Sequence, residues 1–204
     1  HRFHLALFFL FVFFLHPSLF TISKCSCFLY CYNRFMEIIL LLPNIRSTFN
    51  VGSIFRTADG FGVKKIILSG YTPYPNLNLV GKDDSRLPHI KEKITKQISK
   101  TALGAETIID FDYLPSPPIE KLKERGYFII GLEQAPGSTM LPDFSLSSGY
   151  EKIALIVGEE VNGLTPKELA LCDQIVEIPM LGQKESFNVS VAVGICLYGL
   201  NYQK

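Results

Sequence analysis

Between Ile178 and Gly194 the sequence reads IPMLGQKESFNVSVAVG: an apolar strand end, a polar glycine loop, then Ser186 and Asn188 directly before an apolar helix. Side-chain oxygens and unpaired backbone N–H groups at a helix start position a polar ligand, and apolar neighbours cover a flat ring. That mixture points to a small-molecule site. Two other segments share its character. Asn44 to Gly62, NIRSTFNVGSIFRTADGFG, sets Asn50 and Arg56 six residues apart in a stretch with helical apolar spacing at Val51, Ile54 and Phe55. Ile153 to Leu164, IALIVGEEVNGL, is a buried-type strand running into Gly158, Glu159, Glu160 and Gly163. A glycine at a strand end has no Cβ, so the backbone there can approach a ligand closely.

The elements that must carry these residues alternate from Met36 onward. Strands are expected at 37–42, 65–69, 107–111, 127–133, 152–157 and 174–178, and helices at 50–61, 88–100, 118–125 and 188–202, with a further helix opened by Thr165-Pro166-Lys167-Glu168. That last start carries a capping box and Pro at the first helical position. Residues 70–86 are rich in Pro, Asn and Gly and read as a loop long enough to be functional. Strands alternating with helices predict an α/β fold, a mostly parallel sheet with helices on both faces. The last helix is apolar on nearly every side at Val189, Val191, Val193, Ile195, Leu197 and Leu200, which predicts burial on more than one side.

The three segments, in this order and at these separations, resemble the three motifs of the SpoU/TrmH family of RNA methyltransferases in the SPOUT superfamily, and the resemblance extends over 36–204. It implies a C-terminal trefoil knot, which periodicity alone does not reveal, with cofactor-binding loops near 131–136, 158–163 and 178–186. It implies S-adenosylmethionine as cofactor, RNA (tRNA or rRNA) as substrate, transfer of a methyl group to a ribose 2′-hydroxyl, a homodimer, and a cytoplasmic enzyme. The cofactor residues carried over are Gly158, Gly163, Ile178, Met180 and Phe187; Phe187 replaces the Leu usual there and keeps the apolar role. The catalytic set carried over is Asn50, Arg56, Glu160, Ser186 and Asn188. A guanidinium pKa above about 12 makes Arg56 a poor general base, so a phosphate clamp that orients the ribose is the better assignment. Asn50 has a plainer reading as a helix cap, Arg56 as a surface ion-pair residue, and Asp59 either orients Arg56 or is an exposed helical acid. The alternatives in function are a noncatalytic RNA-binding or ribosome-assembly protein that keeps the knotted fold, and a base-nitrogen RNA methyltransferase; the Ser-x-Asn of the third segment favours the ribose enzymes.

With 48% hydrophobic and 19% charged residues, 204 residues suffice for one core and suggest one domain. Residues 36–204 hold 17 basic and 19 acidic residues, so any RNA contact must use a local patch. Lys82, Arg86, Lys91, Lys93, Lys96 and Lys100 form the best candidate, although a solvated helix face would look alike. Residues 1–35 form a separate hydrophobic extension. LALFFLFVFFL at 5–15 is short for a membrane span. With the first Met at 36, the extension is expected to be an over-extended reading frame or disordered, the alternatives being an anchor or a cleaved signal. Cys25, Cys27 and Cys31 lack a fourth metal ligand nearby, no metal site is expected, and Cys172 and Cys196 read as reduced core residues. His89 receives no role.

Overall fold

The computed structural model describes residues 36–146, 150–159 and 161–202. The expectations for 1–35 and for Glu160 lie outside the described residues. The strand Glu37–Pro43 (β1) reads EIILLLP and is buried at every position after the first, the signature of a strand covered on both faces. Around it run the helix Thr48–Gly60 (α1), the strand Lys65–Ser69 (β2), the helix Pro88–Ala102 (α2), the strand Asp110–Leu114 (β3), the helix Ile119–Glu124 (α3) and the strand Phe128–Leu132 (β4). The short strand Thr139–Met140 (β5), the strand Lys152–Val157 (β6), the helix Pro166–Leu171 (α4), the strand Gln174–Glu177 (β7) and the helix Val189–Tyr202 (α5) complete the described elements. The seven strands form one sheet in the order β3-β2-β1-β6-β4-β7-β5, and every pairing is parallel.

Alternate strand residues feed two cores. Ile38, Leu40, Leu42, Ile66, Leu68, Leu155 and Val157 meet Val51, Ile54 and Phe55 of α1, Ile98 of α2 and Val193 and Leu197 of α5. Ile39, Leu41, Ile67, Ala154 and Ile156 meet Ile119 and Leu122 of α3 and Leu169 of α4 on the other face. Phe55 packs edge-on against Phe111 with centroids 5.5 Å apart. Cys196 is fully buried, and desolvation pushes its thiol up to about 12; desolvation likewise pushes Cys172, at the end of α4, up to about 11. Both are free thiols.

Two expectations are corrected, and one strand had not been expected. The strand expected at 107–111 starts later, at Asp110, because the Glu106 carboxylate captures the Gly104 N–H at 3.0 Å and the Ser99 hydroxyl, folding 105–107 into a 3₁₀ turn. β3 is an edge strand whose Asp110 and Asp112 pair with Lys65 and Lys82, and those charges hid it from an apolar pattern. β5, two residues long, is too short to show a period. The basic stretch is only partly available: Lys82 is spent on β3, and Arg86 is folded inward on Asp84 at 2.6 Å and on the carbonyls of Tyr74 and Pro75, each at 2.9 Å. Its guanidinium lies 3.6 Å from the Tyr74 ring centroid, and Tyr74 stacks on Tyr113 at 4.2 Å, so the 70–86 loop is pinned to β3. Lys93, Lys96 and Lys100 on α2 remain exposed.

α1 and α2 touch at Gly52, where a Cβ would sit 2.2 Å from Thr101 Oγ1 and 2.3 Å from the Ile98 carbonyl oxygen. Gly52→Ala is therefore expected to lower unfolding stability by about 1–3 kcal/mol in urea titration. The Arg86 hydrogen bond holds the Asp84 carboxyl down at about 2, and that side chain is only 1% exposed. Arg86→Met leaves a buried charge unpaired and should cost about 3 kcal/mol at neutral pH. Because the folded-state pKa is depressed, the contribution is complete above about pH 4 and fades as pH falls toward 2, so the gap between wild type and variant should close over that window.

Candidate functional site

Parallel pairing brings the carboxyl ends of all strands to one edge, and a cavity of about 540 Å³ opens there beside β4, β6 and β7. Its lining comes from three stretches: Leu132, Glu133 and Gln134 at the end of β4, Val157 to Glu159 with Val161 and Gly163 at the end of β6, and Ile178, Met180 and Glu185 to Val189 after β7. These are the three stretches in which cofactor loops were expected. Gly158, Gly163, Ile178, Met180 and Phe187 all line the cavity, as do Ser186 and Asn188.

The glycines are there for contact as well as conformation. A Cβ on Gly158 would lie 2.5 Å from the Gly163 carbonyl carbon and from the Leu164 nitrogen. Gly163 has φ +67, and its Cβ would meet the Glu133 carboxylate at 2.2 Å. Glu133 was not singled out from the sequence. Its carboxylate accepts from the Leu164 N–H at 2.8 Å, bracing the chain at Gly163-Leu164, while Gln134 Nε2 donates to the Glu185 carbonyl at 2.9 Å and ties the first loop to the third. The available signal was an acid at the carboxyl end of an apolar strand in a parallel sheet.

Asn50 and Asn188 are brought together. Asn188 Nδ2 donates to Asn50 Oδ1 at 3.1 Å, across 138 residues of sequence. Asn188 Oδ1 meanwhile accepts from the Ser190 N–H at 2.9 Å and its hydroxyl at 2.7 Å, capping α5. Asn50 is not the cap of α1: that is Ser47, whose hydroxyl oxygen accepts from the Asn50 N–H at 3.3 Å. The first turns of α1 and α5 thus meet, and of the two only that of α5, through Asn188 and Val189, lies in the cavity lining. Arg56 lies on α1 outside the lining, exposed, and makes no ion pair among the described residues. Asp59 is also exposed.

Electrostatically the lining is one-sided. Glu133, Glu159, Glu177 and Glu185 contribute to it, and among the described residues no Lys or Arg does. Such a cavity favours a ligand bearing positive charge, with Ile178, Met180 and Phe187 offering apolar cover. No His, Cys, Asp and Glu grouping among the described residues has metal-site geometry.

The Asn50–Asn188 contact is testable by a double-mutant cycle. Asn188→Ala should cost about 1 kcal/mol or more through loss of the cap, Asn50→Ala less, and the pair should show a coupling of about 0.5–1 kcal/mol in chemical unfolding.

Comparison with known proteins follows the same lines. The chain is 30% identical over 169 residues to the 23S rRNA (guanosine-2'-O-)-methyltransferase RlmB of Coxiella burnetii, covering 82% of this chain and 59% of that protein. It is 33% identical over 167 residues to the RlmB of Shewanella oneidensis, covering 80% and 58%. The chain therefore spans less than two thirds of the curated relatives it matches. Among solved structures, the AdoMet-bound rRNA methyltransferase from Sinorhizobium meliloti superposes with TM-score 0.64 at 22% identity, covering 80% of this chain and 55% of that one. The SpoU methyltransferase AviRb from Streptomyces viridochromogenes gives 0.63 at 23%, with 82% and 59% covered. At such identity these two establish likeness of fold. Residues 77–198, more than half of the chain and including all three cavity-forming loops, match the SpoU rRNA Methylase family, and the chain belongs to that family.

Proposed function

We propose that this chain is an S-adenosylmethionine-dependent RNA methyltransferase that modifies a ribose 2′-hydroxyl of tRNA or rRNA. The observation that carries the reading is the cavity: a glycine-walled pocket at the sheet's carboxyl edge, acidic, without a basic residue among the described lining, and covered by apolar side chains. Its chemistry fits a cofactor with a flat adenine and a cationic sulfonium. The relatives named as guanosine-2'-O-methyltransferases of 23S rRNA agree with it.

Bound there, S-adenosylmethionine supplies an electrophilic methyl on a leaving group that needs no further activation. The protein must align the ribose and ease loss of the hydroxyl proton. Ile178, Met180 and Phe187 cover the adenine, and Gly158 and Gly163 keep the backbone close. Arg56 holds the target phosphate and polarises the 2′-hydroxyl by hydrogen bonding rather than by giving up its own proton. Asn50, through Asn188, fixes α1 against the third loop, and Ser186 shapes the loop beside the ribose. Glu160 orders Arg56 or a loop amide in this scheme.

The same reading includes a C-terminal trefoil knot. In support, β7 lies between β4 and β5, and the chain after it returns past the 3₁₀ turn 141–143 to pack α5 on α1. It also includes a homodimer in the cytoplasm. α5 buries Val189, Val193, Cys196, Leu197 and Leu200, while Val191, Tyr198 and Tyr202 form an exposed apolar stripe on the opposite face, suited to a second copy. Among the described residues no helix is long and apolar enough to cross a membrane.

Titration calorimetry with S-adenosylmethionine tests the cradle: wild type should bind and Gly158→Trp should not. Arg56→Ala should bind the cofactor within about twofold of wild type and lose methyl transfer to RNA by about 10²-fold or more. Near-normal turnover in Arg56→Ala would sink the clamp; no cofactor binding by folded wild type would sink the enzyme reading.

A further inference from the structure

The cavity occupies one part of the carboxyl edge. Over β1 and β2 the same edge carries a second group of residues for which the cofactor has no use: Asn44 and Arg46 after β1, and Tyr71 after β2. The winding of the sheet reverses between β1 and β6, and in open parallel sheets ligands lie in the crevice at that reversal. Glu159, after β6, belongs to both groups, since it lines the cavity and accepts the Tyr71 hydroxyl.

Tyr71 is 53% exposed yet fixed at both ends. Its backbone N–H donates to Asn44 Oδ1 at 3.3 Å, and Gly70 packs so closely on Asn44 that a Cβ would stand 2.0 Å from that oxygen. The next residue, Thr72, is buried, donates to the Leu42 carbonyl at 2.7 Å and accepts from the Ile45 N–H at 2.9 Å. A ring already immobilised loses little conformational entropy when something covers it. Arg46 sits 5.9 Å from the ring centroid and 3.9 Å from the Glu159 carboxylate, with 63% of its side chain in water. A planar fork of five N–H donors beside a rigid exposed aromatic suits a nucleotide, whose base has a π-face and whose phosphate has acceptors.

We infer that Tyr71 and Arg46 form a subsite for one nucleotide of the RNA, the base stacking on Tyr71 and the phosphate meeting Arg46, with Glu159 holding that subsite against the cofactor cavity. The inference rests on the RNA methyltransferase reading and adds where the strand lies. The subsite is tolerant of sequence, because stacking does not distinguish strongly between bases.

The chain contains no Trp, so Tyr71→Trp provides a single indole at the subsite. The full chain is titrated with total tRNA and with protein-free rRNA in the presence of S-adenosylhomocysteine, and RNA retention is followed in parallel by filter binding. Quenching of the indole on RNA binding is expected. So are an affinity loss of about tenfold in Tyr71→Ala, retention within about threefold in Tyr71→Phe, and a salt-sensitive loss in Arg46→Ala, with cofactor affinity within about twofold throughout. RNA affinity unchanged in Tyr71→Ala, an indole blind to bound RNA, or Tyr71→Phe as weak as Tyr71→Ala would each overturn the subsite. Phe187→Trp separates the two levels: if it responds to cofactor while wild type retains neither RNA at low salt, the RNA reading itself fails and the subsite falls with it.

Discussion

Seven strands pointing the same way is the constraint from which the rest follows. A parallel strand cannot be joined to its neighbour by a tight turn, so each connection crosses a face, and helices cover both faces. The strands become apolar throughout, as in EIILLLP and KIALIV, and every loop that leaves a carboxyl end does so on the same edge. Residues as distant in sequence as Glu133, Gly158 and Phe187 then share one cavity wall. The sheet supplies the proximity; the loops supply the chemistry.

Within that edge, polar contacts fix what apolar packing cannot. Glu133 braces the chain at Gly163-Leu164, Gln134 ties the first loop to the third, and Asn188 joins α5 to α1. Thr72 does the same for the exits of β1 and β2. Each is a polar side chain meeting a backbone or amide group of another segment, and each makes the position of one loop depend on another.

The sequence was legible where burial and local chemistry agreed. The apolar runs marked β1, β2, β4, β6 and β7 to within a residue or so, and Thr165-Pro166-Lys167-Glu168 marked the start of α4, whose capping box is present. The five residues expected at the cofactor and the two loop residues of the third segment gather at the cavity because glycine turns and helix starts are local features. What was illegible was long-range. The charges of β3 make sense only beside Lys65 and Lys82, and Arg86 looked like a free cation until the fold placed Asp84 and two carbonyls around it. Asn50 kept a plainer alternative reading as a helix cap because its partner Asn188 is far along the chain.

That distance has a consequence for how the molecule is made. A ribosome that has not yet released the chain beyond residue 188 holds β1, β2 and α1 without the amide that fastens α1 to the third loop. Two of the cavity's walls can exist at that stage, but the third cannot. Nascent chains therefore carry no finished pocket, and the cavity is completed by one of the most non-local contacts of the fold, the kind that closes late because its loop is long.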